Sequence, residues 1–232
     1  MARLTRLALP GEPHHIIQRG LNGQAIVTDD VDRERFLAEV RESAALYKLA
    51  VHAYVLMDNH LHLLATPETV QSLSRAMQSL GRRYVAAFNQ RHGRTGTLWD
   101  GRFRAAPLEA DAHLLTCMRF IELNPGRTGG WAADPGDYRW SSAAHHLGRR
   151  RDPLVLDHAL YWGIGNTPFE REAAWKAWLA DGCGPAEARR HTDSALRGWP
   201  LGGVAWTAEL AKSTDRPLVP RRRGRPSRQA GA

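Results

Sequence analysis

Alternation of apolar and polar residues predicts a mixed set of strands and helices in this 232-residue chain. Strand-like segments occur at four places, residues 14–20, 49–56, 60–65 and 97–107, the last of them a strand or an extended loop. Helical spacing occurs at three, residues 30–48, 70–92 and 112–123. The order β-α-β-β-α-β plus a helix lacks the strict alternation of a parallel sheet.

The predicted fold class is therefore α+β, an antiparallel sheet with helices on one face, of ferredoxin-like or RRM-like type. At 43% hydrophobic residues, the chain can bury one good core and a small second unit. Beyond Gly126 the pattern weakens. We expect residues 1–148 to form the main domain, residues 149–215 a small, mostly helical extension, and residues 216–232 a disordered basic tail.

The net charge of +8 is unevenly placed. The tail from Arg216 onward carries six arginines and no acid, while residues 71–108 carry seven arginines and one acid. Aromatic residues lie between the arginines of the second group, which suits a phosphate backbone with stacked bases. Nucleic acid is the predicted partner. The candidate DNA contacts in this region are Arg82, Arg83, Arg91, Arg94, Arg102 and Arg104.

The sequence contains no apolar run of eighteen residues and no hydrophobic N-terminal segment of signal-peptide type. No membrane association is expected, and a cytoplasmic location is predicted. The two cysteines, Cys117 and Cys183, lie far apart and are expected to be free thiols.

Two histidines one residue apart, His60 and His62, lie in an apolar run that reads as a strand pair with Asp58-Asn59 as its turn. Side chains alternate along a strand, so both imidazoles project from the same face. Such a pair can chelate a divalent metal. The alternative is two half-buried histidines that only form hydrogen bonds.

A metal needs more than two ligands, and the helix ending near Asn124 offers a candidate third. Phe120, four residues earlier, lies on the same face of that helix, whereas Glu122 points elsewhere. Composition alone does not establish that this helix end meets the two histidines.

Four motifs occur in order along the chain: Leu56-Met57-Asp58-Asn59-His60-Leu61-His62-Leu63-Leu64, Gln78-Ser79-Leu80-Gly81-Arg82-Arg83-Tyr84, Gly96-Thr97-Leu98-Trp99-Asp100-Gly101-Arg102-Phe103 and Arg119-Phe120-Ile121-Glu122-Leu123-Asn124-Pro125. Together they resemble the REP-associated tyrosine transposases, single-tyrosine HUH relatives of bacterial insertion-sequence transposases. The resemblance covers roughly residues 10–148, and Trp140-Ser141-Ser142 and the terminal Arg223-Gly224-Arg225-Pro226 are similar to later segments of the family.

The resemblance implies metal-assisted cleavage and transfer of single-stranded DNA beside a short hairpin. In that family two histidines and a helical amide residue hold Mg²⁺ or Mn²⁺, roles that match His60, His62 and Asn124 here. The metal polarises the scissile phosphate. A helical tyrosine attacks and forms a covalent 5′-phosphotyrosine.

The chain departs from the family at this nucleophile, since the position of the tyrosine is occupied by Phe120. A phenylalanine fits the space but has no hydroxyl. Tyr84 is a candidate substitute, although a core or base-stacking role suits it better, and Tyr54 is expected in the core.

The tail contains Arg222-Arg223-Gly224-Arg225-Pro226, which matches the core of an AT-hook. An extended Arg-Gly-Arg-Pro segment enters a narrow A·T minor groove, where the negative potential is enhanced. The alternative is a basic tail that binds any polyanion. Both interpretations predict duplex DNA contacts by Arg223, Gly224, Arg225 and Pro226.

Three functional hypotheses follow from these features. The first is a metal-dependent DNA-nicking transposase. The second is a domesticated, cleavage-defective relative that recognises hairpins as a regulator. The third is an RRM-like RNA-binding protein, which the fold class permits but which lacks the aromatic pair of an RRM strand motif.

Overall fold

A computed structural model of the protein describes residues 6–128, 130 and 133–219. One antiparallel sheet lies at its centre, with the strand order β2-β3-β1-β4. The strands are β1 (His14–Arg19), β2 (Leu49–Leu56), β3 (His60–Pro67) and β4 (Arg104–Pro107). β2 and β3 form a hairpin, as the sequence predicts, and β1 pairs with both β3 and β4.

Long helices cover both faces of this sheet. They are α1 (Asp30–Leu46), α2 (Ser72–Arg91) and α3 (Ala110–Glu122). Tyr54 of β2 lines a cavity with residues of α1, and Gln18 of β1 lines one with residues of α2, so these two helices share a face. α3 covers the opposite face, where the ring of Phe120 contacts the ring of His62.

The predicted α+β class is confirmed, and the predicted strands and helices are present. The last strand is shorter than the predicted segment, because only residues 104–107 pair with β1. α1 and α2 are the helices expected on one face, and α3 adds a layer on the other. The sequence carries a signal for this second layer, since Leu61 to Ala65 are all buried and a strand buried on both faces reads as a continuous apolar run.

After α3, the described residues form further helices that pack against the main domain. They are α4 (Asn124–Thr128), α5 (Ala143–His146), α6 (Ala159–Trp162), α7 (Pro168–Ala180), α8 (Pro185–Arg197) and α9 (Val204–Lys212). The backbone N–H of Glu109 donates to the carbonyl of Leu201 at 2.8 Å, and Arg119 forms a 3.0 Å ion pair with Glu187. The predicted boundary at residues 148 and 149 stays a prediction, although the expected helical character is present.

Two smaller points concern thiols and membranes. Cys117 is buried, Cys183 is partly buried, and both are free. In the described part of the chain, no helix has the length and apolar character needed to span a bilayer.

A buried carboxylate, Glu122 at the end of α3, joins the main domain to the later helices. Its Oε1 accepts hydrogen bonds from Ser142 Oγ and His146 Nδ1, each at 2.5 Å, and its Oε2 accepts from Trp175 Nε1 at 2.8 Å. Burial alone would lower the pKa of His146, but the charges of Glu122 and Asp157 outweigh it and raise that pKa to about 9. His146 is therefore an imidazolium at neutral pH, fully buried between two acids.

This ion pair predicts a pH-dependent stability. A histidine whose pKa is about 9 in the folded state and 6.5 in the unfolded state stabilises the fold fully below pH 6.5, and loses that contribution as the pH rises through 9. The difference in unfolding free energy between the wild type and His146→Gln should therefore shrink by roughly 3 kcal/mol from pH 6 to pH 10.

Urea denaturation at several pH values measures this difference. Tyr161→Phe is the matched control, because it removes the 2.8 Å hydrogen bond to the His146 carbonyl and leaves the charges of the buried network unchanged. Its destabilisation should change by less than about 0.5 kcal/mol over this range, since burial raises the pKa of Tyr161 and its hydroxyl ionises only in the unfolded state, near pH 10. A constant difference for His146→Gln would contradict the buried imidazolium.

Candidate metal and DNA site

The two histidines of the β2–β3 hairpin lie side by side on one face of the sheet. The ring centroids of His60 and His62 are 5.0 Å apart, with the ring planes at 82°. His62 is buried, and His60 is half-buried at a cavity of about 620 Å³. Arg19, Asn59 and Asp100 also line this cavity. His60 therefore faces an opening large enough for a phosphate group, and His62 lies buried behind it.

A third histidine, His15 on β1, fixes the proton position on His62. A carbonyl oxygen can only accept, so His15 donates its Nδ1–H to the carbonyl of His191 at 3.2 Å. Burial lowers the pKa of His15 to about 4, so this ring is neutral and its Nε2 is an acceptor. His62 therefore donates its Nδ1–H to His15 Nε2 at 2.8 Å, and its own Nε2 carries a lone pair.

His60 is held in the same tautomer by its neighbour in the turn. The amide nitrogen of Asn59 donates to the carbonyl of Gly23 at 3.3 Å, which directs Asn59 Oδ1 to His60 Nδ1 at 2.7 Å. His60 donates from Nδ1, so its Nε2 is unprotonated. Burial first, and then the charge of Arg19, lower the pKa of His60 to about 4.

The predicted third ligand, Asn124, is buried at the start of α4 beside His60. A hydrogen bond with its side chain is one of the factors acting on the pKa of His60. Its Oδ1 accepts from Thr128 Oγ1 at 3.0 Å and keeps a second lone pair. The three residues offer two imidazole nitrogens and one amide oxygen, a donor set that fits Mn²⁺ and accommodates Mg²⁺ with additional water.

Phe120 occupies the space between α3 and the histidines. Its ring centroid lies 5.6 Å from those of both His15 and His62, edge-on to each. The guanidinium of Arg127 lies 4.4 Å from the centre of the same ring. An aromatic side chain without a hydroxyl thus contacts the rings of His15 and His62 from the position that the family resemblance assigns to the nucleophile.

Tyr84 does not reach this site. It is buried on the α1–α2 side of the sheet, with its ring 4.6 Å from that of Phe36, and its hydroxyl donates to the carbonyl of Ile26 at 2.6 Å. Burial raises the pKa of Tyr84 strongly. This placement argues against Tyr84 as a substitute nucleophile and agrees with the alternative of a core aromatic.

The chain's other four tyrosines are also remote from the histidines or already bonded. Tyr47 follows α1, next to the end of β2 where Leu49 pairs with Pro67, a full strand length from His60. The remaining hydroxyls are donors in buried hydrogen bonds: Tyr54 to Asp152, Tyr138 to the carbonyl of Leu56, and Tyr161 to the carbonyl of His146.

The arginines predicted to contact DNA fall into two groups. Arg83 forms ion pairs with Glu39 and Glu42, and Arg91 forms ion pairs with Asp29 and Asp32. Their charge is neutralised locally, so these two are poor candidates for phosphate contacts.

Among the described residues, the other arginines of this region form no ion pair with an acid. Arg94 donates to Gln24 Oε1 at 3.0 Å. Arg82, Arg102 and Arg104 are exposed. The tail candidates Arg223, Gly224, Arg225 and Pro226 lie outside the described residues.

Two residues at the site were not expected from the sequence. His15 lies in the predicted first strand, but its contact with His62 depends on the register that pairs Ile17 with His62. Arg127 follows the predicted helix, and only the turn into α4 brings it over Phe120. Strand alternation would have assigned His15 to a face, but no local pattern specifies which strand it meets.

A second histidine cluster, His145, His146 and Asp157, has spacing that could suit a metal. His145 Nδ1 accepts the backbone N–H of Asp152 at 3.0 Å, so its proton lies on Nε2 and points at Asp157. With His146 charged as well, this group has the protonation of a hydrogen-bonded ion network rather than of a metal centre.

Comparisons with known proteins relate part of this chain to transposases. Residues 13–124 match the family described as "Transposase IS200 like". The structure of a REP-associated tyrosine transposase bound to a REP hairpin is similar at 15% identity and a TM-score of 0.56, over 68% of this chain and 92% of that one. A putative transposase from Deinococcus radiodurans R1 matches at 21% identity and a TM-score of 0.35, over 53% of this chain and 93% of that one. No curated protein matches the chain.

The matched segment begins just before β1 and ends at Asn124, so it contains His60, His62 and the Phe120 position. The similarity to the hairpin-bound structure at this identity concerns the fold, including the antiparallel sheet and its helices. Residues 13–124 of this chain are therefore similar to the IS200-like transposases, and the fold of the chain resembles that of a REP-associated tyrosine transposase.

Proposed function

We propose that this protein binds hairpin-bearing single-stranded DNA through a metal ion on His60, His62 and Asn124, without forming a covalent link to the DNA. The observation that carries the proposal is Phe120, whose ring packs 5.6 Å from that of His62 where the family has its tyrosine. The proposal is further supported by His60 and His62, which carry their protons on Nδ1 and leave each Nε2 unprotonated. Recognition is retained in this proposal and strand transfer is lost.

The ion, when bound, would hold a phosphate oxygen of the DNA and neutralise its charge. The neutral tautomers of His60 and His62 leave both Nε2 atoms free to coordinate, because Asn59 and His15 accept their Nδ1 protons. No proton has to leave either ring before the ion binds. The protein therefore supplies a preformed chelate.

The surroundings of this chelate suit a polyanion. Arg19 and Arg127 are exposed beside the histidines, and the charge of each lowers the pKa of His60. Neither forms an ion pair with an acid among the described residues. Together with a divalent ion they would give the cavity a net positive potential, which favours a DNA strand.

The competing function is the tyrosine-dependent cleavage and strand transfer that the family resemblance implies. It requires a hydroxyl in line with a metal-bound phosphate. The described tyrosines supply none, since Tyr84 lies on the other face of the sheet and Tyr47 at its far end.

The two functions are separated by testing for a covalent adduct. A labelled single-stranded hairpin incubated with the wild-type protein and Mn²⁺ should bind but give no adduct on a denaturing gel. Phe120→Tyr restores the hydroxyl beside His62 and should yield an adduct above background. The double variant Phe120→Tyr, His62→Ala should lose it again, because the chelate is broken. An adduct formed by the wild type would overturn the proposal.

Metal binding has its own prediction. Titration calorimetry with Mn²⁺ should show one site, lost in His60→Ala and in His62→Ala. His15→Ala should weaken binding by about 10- to 100-fold, because the tautomer and orientation of His62 are no longer held, and His15→Gln should recover part of this loss through its amide oxygen.

His113→Ala is the matched control for these variants, since His113 lies beside His191 but not beside the proposed ligands. Its affinity for Mn²⁺ should equal that of the wild type. If His15→Ala bound Mn²⁺ as tightly as the wild type, the proposed positioning role of His15 would be wrong.

Duplex binding by the tail remains a separate proposal. Removing residues 220–232 deletes five arginines and no acid. Binding to A·T-rich duplex should weaken, and the slope of log K against log salt should flatten by about 0.9 for each phosphate that the tail would have neutralised. Anisotropy titrations at several salt concentrations measure this slope. An unchanged slope would show that the tail binds no phosphate, while equal weakening on A·T- and G·C-rich duplexes would favour a general polyanion tail.

A further inference from the structure

A groove of about 750 Å³ lies on the face of the sheet opposite the histidines, between α2 and the segment 96–103. Its walls include residues of the motifs at 78–84 and 96–103, neither of which contributes a proposed metal ligand. Apolar side chains such as Met77 and Phe103 line it, with arginines at the rim. None of the described residues that line it is acidic.

Two hydrogen-bond donors in this groove have no partner among the described residues. The side chain of Gln18 is buried with its Nε2 unpaired, and the indole Nε1–H of Trp99 is likewise buried and unpaired. Buried donors are nearly always paired, because leaving one unpaired costs about 1–3 kcal/mol. Both residues line the groove, so a ligand carrying acceptor atoms would pair them.

Gly81 of α2 lies directly against this indole. A Cβ atom at position 81 would lie 3.3 Å from Trp99 Nε1, a tight contact. A glycine inside a helix is less favourable than alanine by about 1 kcal/mol. The glycine therefore lets α2 approach the indole N–H closely, while the Trp99 side chain as a whole is only partly buried and lines the groove.

The charges at the rim favour an anionic ligand. Arg82 and Arg102 line the groove, are exposed, and form no ion pair in the described part of the chain. The adjacent Arg83 differs, because it is held by Glu39 and does not line the groove. Apolar walls, acceptor-seeking donors and unneutralised arginines together suit a nucleotide, with its base inside and its phosphates at the rim.

The groove and the histidine cavity share one wall. Trp99 and Arg102 line the groove, whereas Asp100, between them, lines the cavity at His60. On β1, Gln18 and Arg19 likewise point to opposite faces and line one space each. The backbone N–H of Asp100 donates to the carbonyl of Arg19 at 2.9 Å, which closes this thin partition.

We propose that this groove binds an unpaired nucleotide of the same DNA strand, whose base accepts hydrogen bonds from Gln18 and Trp99 and whose phosphates contact Arg82 and Arg102. This inference rests on the proposed DNA-binding function. It adds a base-binding site separated from the histidine cavity by the segment around Asp100. It also accounts for the buried donors of Gln18 and Trp99 that have no partner among the described residues.

The test compares two labelled single strands of about ten units, oligothymidylate and an abasic oligomer of the same length, by fluorescence anisotropy. The wild type should prefer the strand that carries bases. Gln18→Leu and Trp99→Phe should reduce this preference by up to about tenfold each, with abasic binding unchanged, since each removes one donor. Arg82→Ala should weaken both strands to a similar extent.

Arg75→Ala is the matched control, because Arg75 is exposed on the same helix but does not line the groove. Thermal melting by circular dichroism checks that each variant is folded. Because Arg82 is exposed, Arg82→Ala tests the groove without a substitution in the core. Equal effects of Arg75→Ala and Arg82→Ala would reduce the arginine contribution to general charge and overturn this part of the proposal.

Hairpin binding measured in parallel distinguishes a failure of the groove proposal from a failure of the proposed function. If Gln18→Leu and Trp99→Phe keep the full preference for bases, or if the wild type has none, the groove is not a base site, while hairpin binding still supports the proposed function. If the wild type binds neither the hairpin nor the single strands, the proposed function fails together with the inference.

Discussion

The position of α3 depends on the buried carboxylate of Glu122. Successive residues of a helix are 100° apart around its axis, so Phe120 and Asn124 project to nearly the same side and Glu122 projects to the opposite side. The three hydrogen bonds that Glu122 accepts join α3 to α5 and α7. With that side anchored, the opposite side is held against the histidines of the sheet. The sheet thus supplies the histidines of the candidate site, and the C-terminal helices hold α3 against them.

A second constraint is the chain of hydrogen bonds from the His191 carbonyl through His15 to His62. It begins at an atom that can only accept, so each proton in the chain has a single position. Its last member presents an unprotonated nitrogen. The C-terminal extension therefore takes part in preparing the proposed ligand, since His191 belongs to α8. The C-terminal extension, whose sequence pattern is weak, therefore affects the protonation of His62 in the histidine motif.

A tyrosine and Phe120 differ by one oxygen atom, and Phe120 occupies the position that the family resemblance assigns to the nucleophile. In the proposed function, the histidines, the amide residue and the nearby arginines hold a metal and a phosphate, while the reactive hydroxyl is missing. A domain with this combination can retain the affinity of a transposase for its DNA and lose the covalent step. The groove behind the partition at Asp100 extends the same surface to the other face of the sheet, so that a single strand could be held on both sides of one loop.

The sequence by itself determined the elements and the two candidate imidazole ligands, because both depend on short-range periodicity. Alternation along β3 places His60 and His62 on one face, and helical spacing places Phe120 and Asn124 on one side of a helix. The motif order was also enough to indicate the family. Charge counts predicted a polyanionic partner, although they did not separate Arg82 from Arg83.

Only the tertiary structure decided which of these residues meet. The contact of His15 with His62 follows from strand register, the role of Glu122 from packing against α7, and the local neutralisation of Arg83 from the neighbouring α1. Tyr84 was excluded from the site by the face of the sheet on which α2 packs. Each of these is a contact between segments far apart in the chain, and local patterns of hydrophobic and polar residues carry no information about which distant surfaces pair.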